Sequence, residues 1–247
     1  MDPLDVLAFS PHPDDAEIGC GGVLALAVRQ GLRVGVADLT NGERATRGTP
    51  AGRAKEREAA THTLRLTERL AMGLPDGELG RSPEAVARVV DVIRDARPRT
   101  VLAPNGADRH PDHEAAARIV REGCFEAGVG RVGSGGAHRP ARQFSYMAHS
   151  PFEPSFVVDI SDVWELKCAA VGCYRSQFFP DDGGPATALS GGDFLDLLEV
   201  RARWFGTMIG ARHGEPYLCR GPVPLPGLPG APGGSAREAP ALAYSMW

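Results

Sequence analysis

The sequence predicts an α/β protein of the Rossmann-like type, with a mostly parallel sheet and helices on both faces. Apolar runs of strand length alternate with helical patterns up to about residue 130, and this alternation is typical of βαβ units with right-handed crossovers. The 247 residues, of which 43% are hydrophobic, are enough for one large domain with an extensive core. Length by itself also allows two smaller domains.

Strands and helices follow one another regularly in the first half of the chain. A glycine at position 31 is a good C-cap for the first helix, and Ser82 and Pro83 have the residue types of an N-cap and a first helical position. The predicted strands are Leu4–Phe9, Arg33–Leu39, Leu70–Leu74 and Thr100–Ala103, and the predicted helices are Glu17–Gln30, Ala51–Leu66, a helix from Ser82 that Pro98 ends, and Asp112–Ala127.

Beyond residue 130 the alternation becomes less regular. We expect strands over Gln143–Ala148 and Phe156–Ile160, a helix capped by Ser161 that runs to about Gly172, and a final helix over Asp193–Ile209. From residue 221 the chain is rich in proline and glycine, which predicts an irregular tail. The expected organisation is therefore one Rossmann-like domain over residues 1–220 and a tail over 221–247.

Charge and composition exclude several classes of partner. The net charge of −4 gives no general attraction to nucleic acid or to an anionic membrane. The start, MDPLDVLAFS, lacks the basic region of a secretory signal, and no apolar stretch approaches the ~20 residues of a membrane span. The five cysteines are widely spaced without a C-x-x-C pair, which favours buried thiols in a reducing cytoplasm. We expect a cytoplasmic protein with no nucleic-acid or membrane partner.

Three polar loops follow predicted strands: SPHPDDAEIGCGG at 10–22, TNGE at 40–43 and PNGADRHPDH at 104–113. In open α/β sheets, ligands bind outside the carboxyl ends of the strands. The three loops are therefore expected to meet at one edge of the sheet, which makes their side chains the candidates for function.

A metal site is the first chemistry that these loops can provide. His12 and Asp15 stand three residues apart in a turn that Pro11 and Pro13 restrict, and His113 on the third loop can complete the set. An isolated H-x-x-D is usually a surface turn, but the two motifs together are far more specific. Two histidines and one carboxylate with open positions are typical of a catalytic zinc site. The same ligands suit Fe(II), and we favour Zn²⁺.

Three further residues beside the expected ligands can take part in catalysis. Asp14 can face a metal-activated water and accept its proton, or can support the metal by charge alone. His110, as an imidazolium, can stabilise an oxyanion or protonate a leaving amine. Asp112 can hold an imidazole in one tautomer, or can simply cap the helix.

Basic residues after the second predicted strand offer anion binding. Arg47 and Arg53 can clamp a substrate carboxylate by bidentate hydrogen bonds, although some arginines of this stretch can instead be solvated helix charges. Glu43 and Arg109 lie in the same polar loops and are also predicted to bind substrate.

The glycines of GCGG do not make a dinucleotide-binding motif. Gly19 and Gly21 begin the spacing, but Leu24 stands where G-x-G-x-x-G requires its third glycine. We expect these glycines instead to let the first helix approach the sheet and the metal loop closely.

The pair PHPDD and HPDH, in this order on a Rossmann-like pattern, resembles the PIG-L/LmbE-like family of N-acetylglucosaminyl deacetylases over roughly residues 4–215. The resemblance implies a Rossmann-like fold with the active site at the carboxyl ends of the strands. It also implies zinc ligation by His12, Asp15 and His113, general-base catalysis by Asp14 and charge stabilisation by His110.

Longer stretches, DLTNGERATRGTPAGRAKERE, DRHPDH and CYRSQF, look like the branch of this family that makes bacillithiol. That resemblance implies hydrolysis of N-acetylglucosaminyl-malate to glucosaminyl-malate and acetate, with arginines meeting the malate carboxylates, and a trimer or hexamer. Chitin oligosaccharides and mycothiol precursors are alternative substrates. A non-haem Fe(II) enzyme and a metal-dependent sugar-binding protein are the alternatives from other classes.

Overall fold

A computed structural model describes residues 2–130, 135–179, 185–191 and 193–223. The strands are β1 (Val6–Ser10), β2 (Val34–Asp38), β3 (Glu68–Ala71), β4 (Thr100–Pro104), β5 (Arg142–Tyr146), β6 (Phe156–Asp159) and β7 (Gly214–Cys219). The helices are α1 (Asp15–Arg29), α2 (Pro50–Leu64), α3 (Ala85–Ala96), α4 (Pro111–Ala127), α5 (Trp164–Gly172), α6 (Arg175–Phe178) and α7 (Phe194–Thr207). Two short 3-10 turns lie at Leu79–Arg81 and Ser161–Val163.

The described strands form one mostly parallel sheet in the order β3-β2-β1-β4-β5-β7-β6. Parallel ladders join β3 to β2, β2 to β1, β1 to β4 and β4 to β5, whereas β7 runs antiparallel between β5 and β6. The direction of winding reverses between β1 and β4, and such a switch point opens a crevice at the carboxyl ends of the two strands. The expected α/β class, with its less regular C-terminal part, is confirmed.

The core lies on both faces of the central strand β1, every residue of which is buried. Leu7 and Phe9 pack on the α3–α4 side, and Val6 and Ala8 pack on the α1 side. A third cluster joins α1, α2, α5 and α7 outside this layer. Because alternate side chains of a strand point to opposite faces, the apolar run Val6–Phe9 requires cover on both faces of the sheet.

Most predicted elements begin within two residues of the observed start, and the surrounding structure accounts for two of these differences. The ladder to β2 covers Glu68–Ala71 rather than Leu70–Leu74, although backbone hydrogen bonds from Met72 and Leu74 continue along the second strand. The third helix starts at Ala85, so Ser82 is not its N-cap. The residues before Ser82 form the 3-10 turn at 79–81, and the N–H of Ser82 donates to the carbonyl of Leu79 in that turn. The Asp112 carboxylate holds the turn in place by accepting the N–H of Leu79.

The C-terminal part contains a strand that the sequence pattern did not reveal, Gly214–Cys219. Ser161 helps to hold its start, because its hydroxyl donates to Asp159 Oδ1 and accepts from the backbone N–H of His213. The hydroxyl is thus used between strands rather than as the predicted helix cap, and α5 begins at Trp164. Residues 224–247, most of the predicted tail, lie outside the described part of the chain.

Membrane spans and disulfides are absent from the described residues. None of the described helices combines the length and apolarity that crossing a bilayer requires. All five cysteines are free thiols, and Cys20 and Cys124 are buried.

Helix α7 packs closely on the turn that leads into β7, and this contact predicts a stability difference between two glycines. A Cβ added at Gly206 would lie 2.7 Å from the Ala211 carbonyl oxygen, whereas at Gly172, also near a helix end, it would meet nothing within 4 Å. We expect Gly206→Ala to lower the free energy of unfolding by about 1–3 kcal/mol. Gly172→Ala, the matched control, should raise it by up to about 1 kcal/mol. Chemical denaturation measures both, and equal effects would contradict the packing described here.

Candidate metal centre and active site

The loop after β1 is folded by its own polar groups. Ser10 Oγ donates to the carbonyl of His12 at 2.6 Å and accepts from the N–H of Ala16 at 3.0 Å, which ties the loop to the first turn of α1. Asp15 is the first residue of that helix, and Asp14 precedes it with φ 123°. A non-glycine residue in this region of φ is strained, and such strain is found mainly where function fixes the geometry.

The second loop follows β4 and leads into α4. His110 is the N-cap of this helix, since its Nδ1 accepts from the N–H of Asp112 at 3.2 Å, and Pro111 is the first helical residue. The first turn of α4 then directs the buried side chain of His113 toward the loop after β1. Adjacent parallel strands thus bring the two motifs together, as the sequence predicts.

The three predicted metal ligands converge on one carboxylate oxygen. Asp15 Oδ2 lies 3.1 Å from His12 Nδ1 and 3.1 Å from His113 Nε2, and the Asp15 side chain is almost fully buried. Two imidazole nitrogens and one carboxylate form a donor set that fits a divalent transition metal such as zinc. The residues present therefore fit the metal that the sequence analysis expects.

The electrostatics of this group favour an ionised carboxylate. Burial would raise the pKa of Asp15, but the positive charge and hydrogen bond of His113, together with His12, hold it well below its usual range. Burial would likewise lower the pKa of His113, yet the Asp15 charge and the hydrogen bond to Asp108 raise it to about 9. The site therefore attracts positive charge, which either protons or a metal ion can supply.

Carboxylates behind the two imidazoles fix their orientation. Asp76 Oδ1 lies 3.2 Å and Asp112 Oδ2 lies 3.5 Å from His12 Nε2, while Asp108 Oδ1 lies 3.4 Å from His113 Nδ1. Outer partners of this kind set the tautomer of a ligating histidine. Sequence reasoning missed Asp76 and Asp108, although Asp108 stands within the quoted stretch DRHPDH.

Asp112 and His110 differ in part from the expectations. Asp112 does not cap its own helix; its carboxylate accepts the backbone N–H groups of Gly77 and Leu79 and also faces His12. His110 is expected as an imidazolium, but burial and the charges of His12 and His113 lower its pKa. Because its Nδ1 accepts a hydrogen bond, we assign the neutral tautomer, which leaves Nε2–H as a donor.

Asp14 is held beside the candidate ligands by Arg53. The guanidinium donates to Asp14 Oδ2 at 3.2 Å and to the carbonyl of Pro13, and it lies 5.7 Å from the centre of the Tyr174 ring. Burial raises the pKa of Asp14 to about 7; the Arg53 charge opposes this shift and the Asp15 charge adds to it. Arg53 is therefore engaged with Asp14 and is not the free carboxylate clamp that the sequence suggests.

The other predicted substrate-binding residues are not gathered at the metal group. Arg47 is only 3% exposed and donates to the carbonyls of Ser176, Phe179 and Pro185, so its role as a substrate clamp is corrected to a structural one. Glu43 accepts the N–H groups of Asn41 and Asp76 and braces two loops. Arg109 is exposed and lines a neighbouring groove.

The candidate ligands lie in a cavity of about 320 Å³, together with Asp14, His110 and Arg53. His149 also lines this cavity, and its ring stacks on that of His113 with centroids 4.9 Å apart. The sequence analysis missed His149 because it lies after β5, in a part of the chain with no motif.

Comparisons with known proteins identify the family of the chain. The sequence model of the family described as PIG-L, GlcNAc-PI de-N-acetylase, matches residues 7–124. The chain is 31% identical to the diacetylchitobiose deacetylase of Thermococcus kodakarensis, over 85% of this chain and 80% of the relative. It is 28% identical to a probable N-acetyl-α-D-glucosaminyl L-malate deacetylase of Bacillus cereus, over 70% of this chain and 83% of the relative. A crystal structure of a conserved Thermus thermophilus protein matches with TM-score 0.82 and 40% identity, covering 92% of this chain and 99% of that one.

The contact between Asp108 and His113 predicts a change in metal affinity. Asp108→Asn keeps the size of the side chain but removes the charge 3.4 Å from His113 Nδ1. We expect the dissociation constant for Zn²⁺ to rise about 10–100-fold, measured by competition with a chelator. Asp5→Asn, a change at a half-buried carboxylate remote from the site, is the control. An unchanged zinc affinity in Asp108→Asn would show that this carboxylate does not support the metal centre.

Proposed function

Because the chain belongs to the PIG-L family of de-N-acetylases and is therefore a hydrolase for N-acetylglucosamine-type substrates, we propose that it works with a zinc ion held by His12, Asp15 and His113. The observation that carries this proposal is the Asp15 carboxylate oxygen at 3.1 Å from an imidazole nitrogen of each histidine. Three protein ligands of this type leave positions open for water and substrate. Fe²⁺ suits the same ligands and is the alternative metal.

Each nearby side chain has a defined task in amide hydrolysis. When bound, the metal supplies Lewis acidity toward the attacking water and the acetamide carbonyl. Asp14 accepts a proton as the water oxygen bonds to the carbonyl carbon. His110 donates from Nε2 to the developing oxyanion. The carbon–nitrogen bond then breaks, the proton that Asp14 accepted passes to the nitrogen, and acetate and the free amine leave.

N-acetylglucosaminyl-malate is the substrate that we propose to test first. The likeness to the Bacillus cereus relative supports it, as does the exposed cation of Arg109 beside the cavity. Diacetylchitobiose, the substrate named for the Thermococcus relative, is the second candidate. We further propose that the protein is cytoplasmic and that it forms a homo-oligomer. Light scattering of the purified protein measures the number of subunits directly.

Zinc-loaded protein incubated with both candidates and with free N-acetylglucosamine tests the function. Asp14→Asn should keep its zinc and lower kcat by on the order of 10²-fold or more, because the amide cannot accept the proton. His113→Ala, by contrast, should lose the metal. Acetate release and metal content are the two measurements. Near-normal turnover in Asp14→Asn would remove this residue from the mechanism, and iron with oxygen consumption but no acetate would contradict the deacetylase.

The placement of Arg53 predicts a loss that does not depend on the substrate. Since its guanidinium holds Asp14 and the Pro13 carbonyl, Arg53→Gln should lower kcat by on the order of 10–100-fold on both the malate conjugate and free N-acetylglucosamine. Arg109→Gln is the matched comparison and should weaken use of the malate conjugate alone. A loss in Arg53→Gln that is confined to the malate conjugate would contradict this prediction and would support the original hypothesis that Arg53 binds a substrate carboxylate.

A further inference from the structure

A second groove adjoins the cavity that holds the candidate metal ligands. It has a volume of about 370 Å³ and shares two wall residues, His149 and Leu189, with that cavity. The His149 ring, which lines the groove, stacks on the ring of the candidate ligand His113, so the groove begins directly beside the candidate metal centre. A substrate whose acetamide lies at the centre can therefore extend its other end into the groove.

One wall of the groove is apolar. It is formed by the segment before α7 and by the first turns of that helix, through Leu189, Phe194, Leu197 and Leu198. Leu197 is 62% exposed, and a ligand that covers it would gain from the removal of apolar surface from water.

Polar partners for a ligand in the groove are few. Among its described lining residues, the polar side chains are His149, Arg109 and Arg201. Arg201 already donates to the carbonyls of Ala148 and Ile18, at 2.6 Å and 2.9 Å. A second sugar ring, with several hydroxyl groups to satisfy, would thus find little here.

Arg109 gives the groove an exposed positive charge. This exposed residue stands next to Asp108, whose carboxylate is occupied by the N–H groups of His110, His149 and Ser150. Among the described residues none forms a hydrogen bond or ion pair with the Arg109 guanidinium, so this group can donate two hydrogen bonds to a carboxylate or phosphate oxygen of a ligand.

From this combination we propose that the groove binds the aglycone of the substrate, and that this aglycone has an apolar body of alkyl or aromatic carbons ending in an anionic group. The proposal rests on the proposed deacetylase activity but departs from the malate conjugate named there as the first substrate to test, because it expects the groove to favour a different aglycone. Malate has the anionic groups but no apolar body, so it would use the arginine and leave the apolar wall uncovered.

Four substrates test the proposal: N-acetylglucosamine, its octyl glycoside, its carboxyoctyl glycoside and N-acetylglucosaminyl-malate, with anomers matched. We expect kcat/KM for acetate release to rise from the free sugar to the octyl glycoside by about tenfold or more, a typical gain from filling an apolar pocket. The carboxyoctyl glycoside should exceed both the octyl glycoside and the malate conjugate.

Variants separate the two parts of the groove. Leu197→Ser should reduce the ratio of kcat/KM for octyl glycoside over free sugar by several fold, because it removes apolar surface from the wall. Arg109→Gln should bring the carboxyoctyl and octyl glycosides to equal efficiency. Val200→Ser is the matched control: Val200 lies on the same helix and is 63% exposed, but it does not line the groove. This variant should leave both ratios unchanged.

Two outcomes would overturn the proposal in distinguishable ways. Equal efficiency on all four substrates, or a preference for the malate conjugate over the carboxyoctyl glycoside, would refute the apolar-anionic aglycone and leave the deacetylase intact. Failure to release acetate from any of the four would refute the deacetylase function itself, and the inference with it.

Discussion

The Asp15 carboxylate, shared between His12 and His113, is the interaction on which the site depends. It is buried, and a buried charge is costly unless it is paired and hydrogen-bonded. The pairing is possible only because β1 and β4 are parallel neighbours whose carboxyl ends release the two histidine loops side by side. The charge balance of the site therefore depends on the strand order of the sheet, which places both histidines beside the Asp15 carboxylate.

A ring of further carboxylates makes the same region attractive to cations. Asp76 lies in the loop after β3, Asp108 lies in the loop after β4 and Asp112 in the first turn of α4, and each contacts one of the two imidazoles. Burial would raise the pKa of each acid, but hydrogen bonds to His12 or His113 and to backbone N–H groups lower all three. The acids also fasten neighbouring loops through those N–H groups, so the charge that orients the histidines shapes the cavity as well.

How far the sequence could predict the site depends on the range of the contacts. His12, Asp15 and His113 could be found because strand periodicity and the rule for parallel sheets bring two short motifs together. The partners of Arg47 lie 129 or more positions away, so no local pattern could show that its guanidinium binds backbone carbonyls. For the same reason, the sequence did not reveal the strand that contains Glu215 or the role of the His149 ring. Both make their contacts with parts of the chain that only folding brings near.

Helix α1, which follows the loop of the candidate metal ligands, is fixed in place by close packing and by buried charged groups. A Cβ at Gly19 would overlap the Tyr146 ring, and the same tyrosine donates to the carbonyl of Phe9, so the helix lies directly against the sheet. Glu215 accepts two N–H groups of the helix, and Glu17 meets Arg69 from the third strand. Each of these contacts resists movement of the helix relative to β1. Since Asp14 and Asp15 stand at its start, a rigid helix holds the two adjacent carboxylates in the two different positions that their proposed roles require.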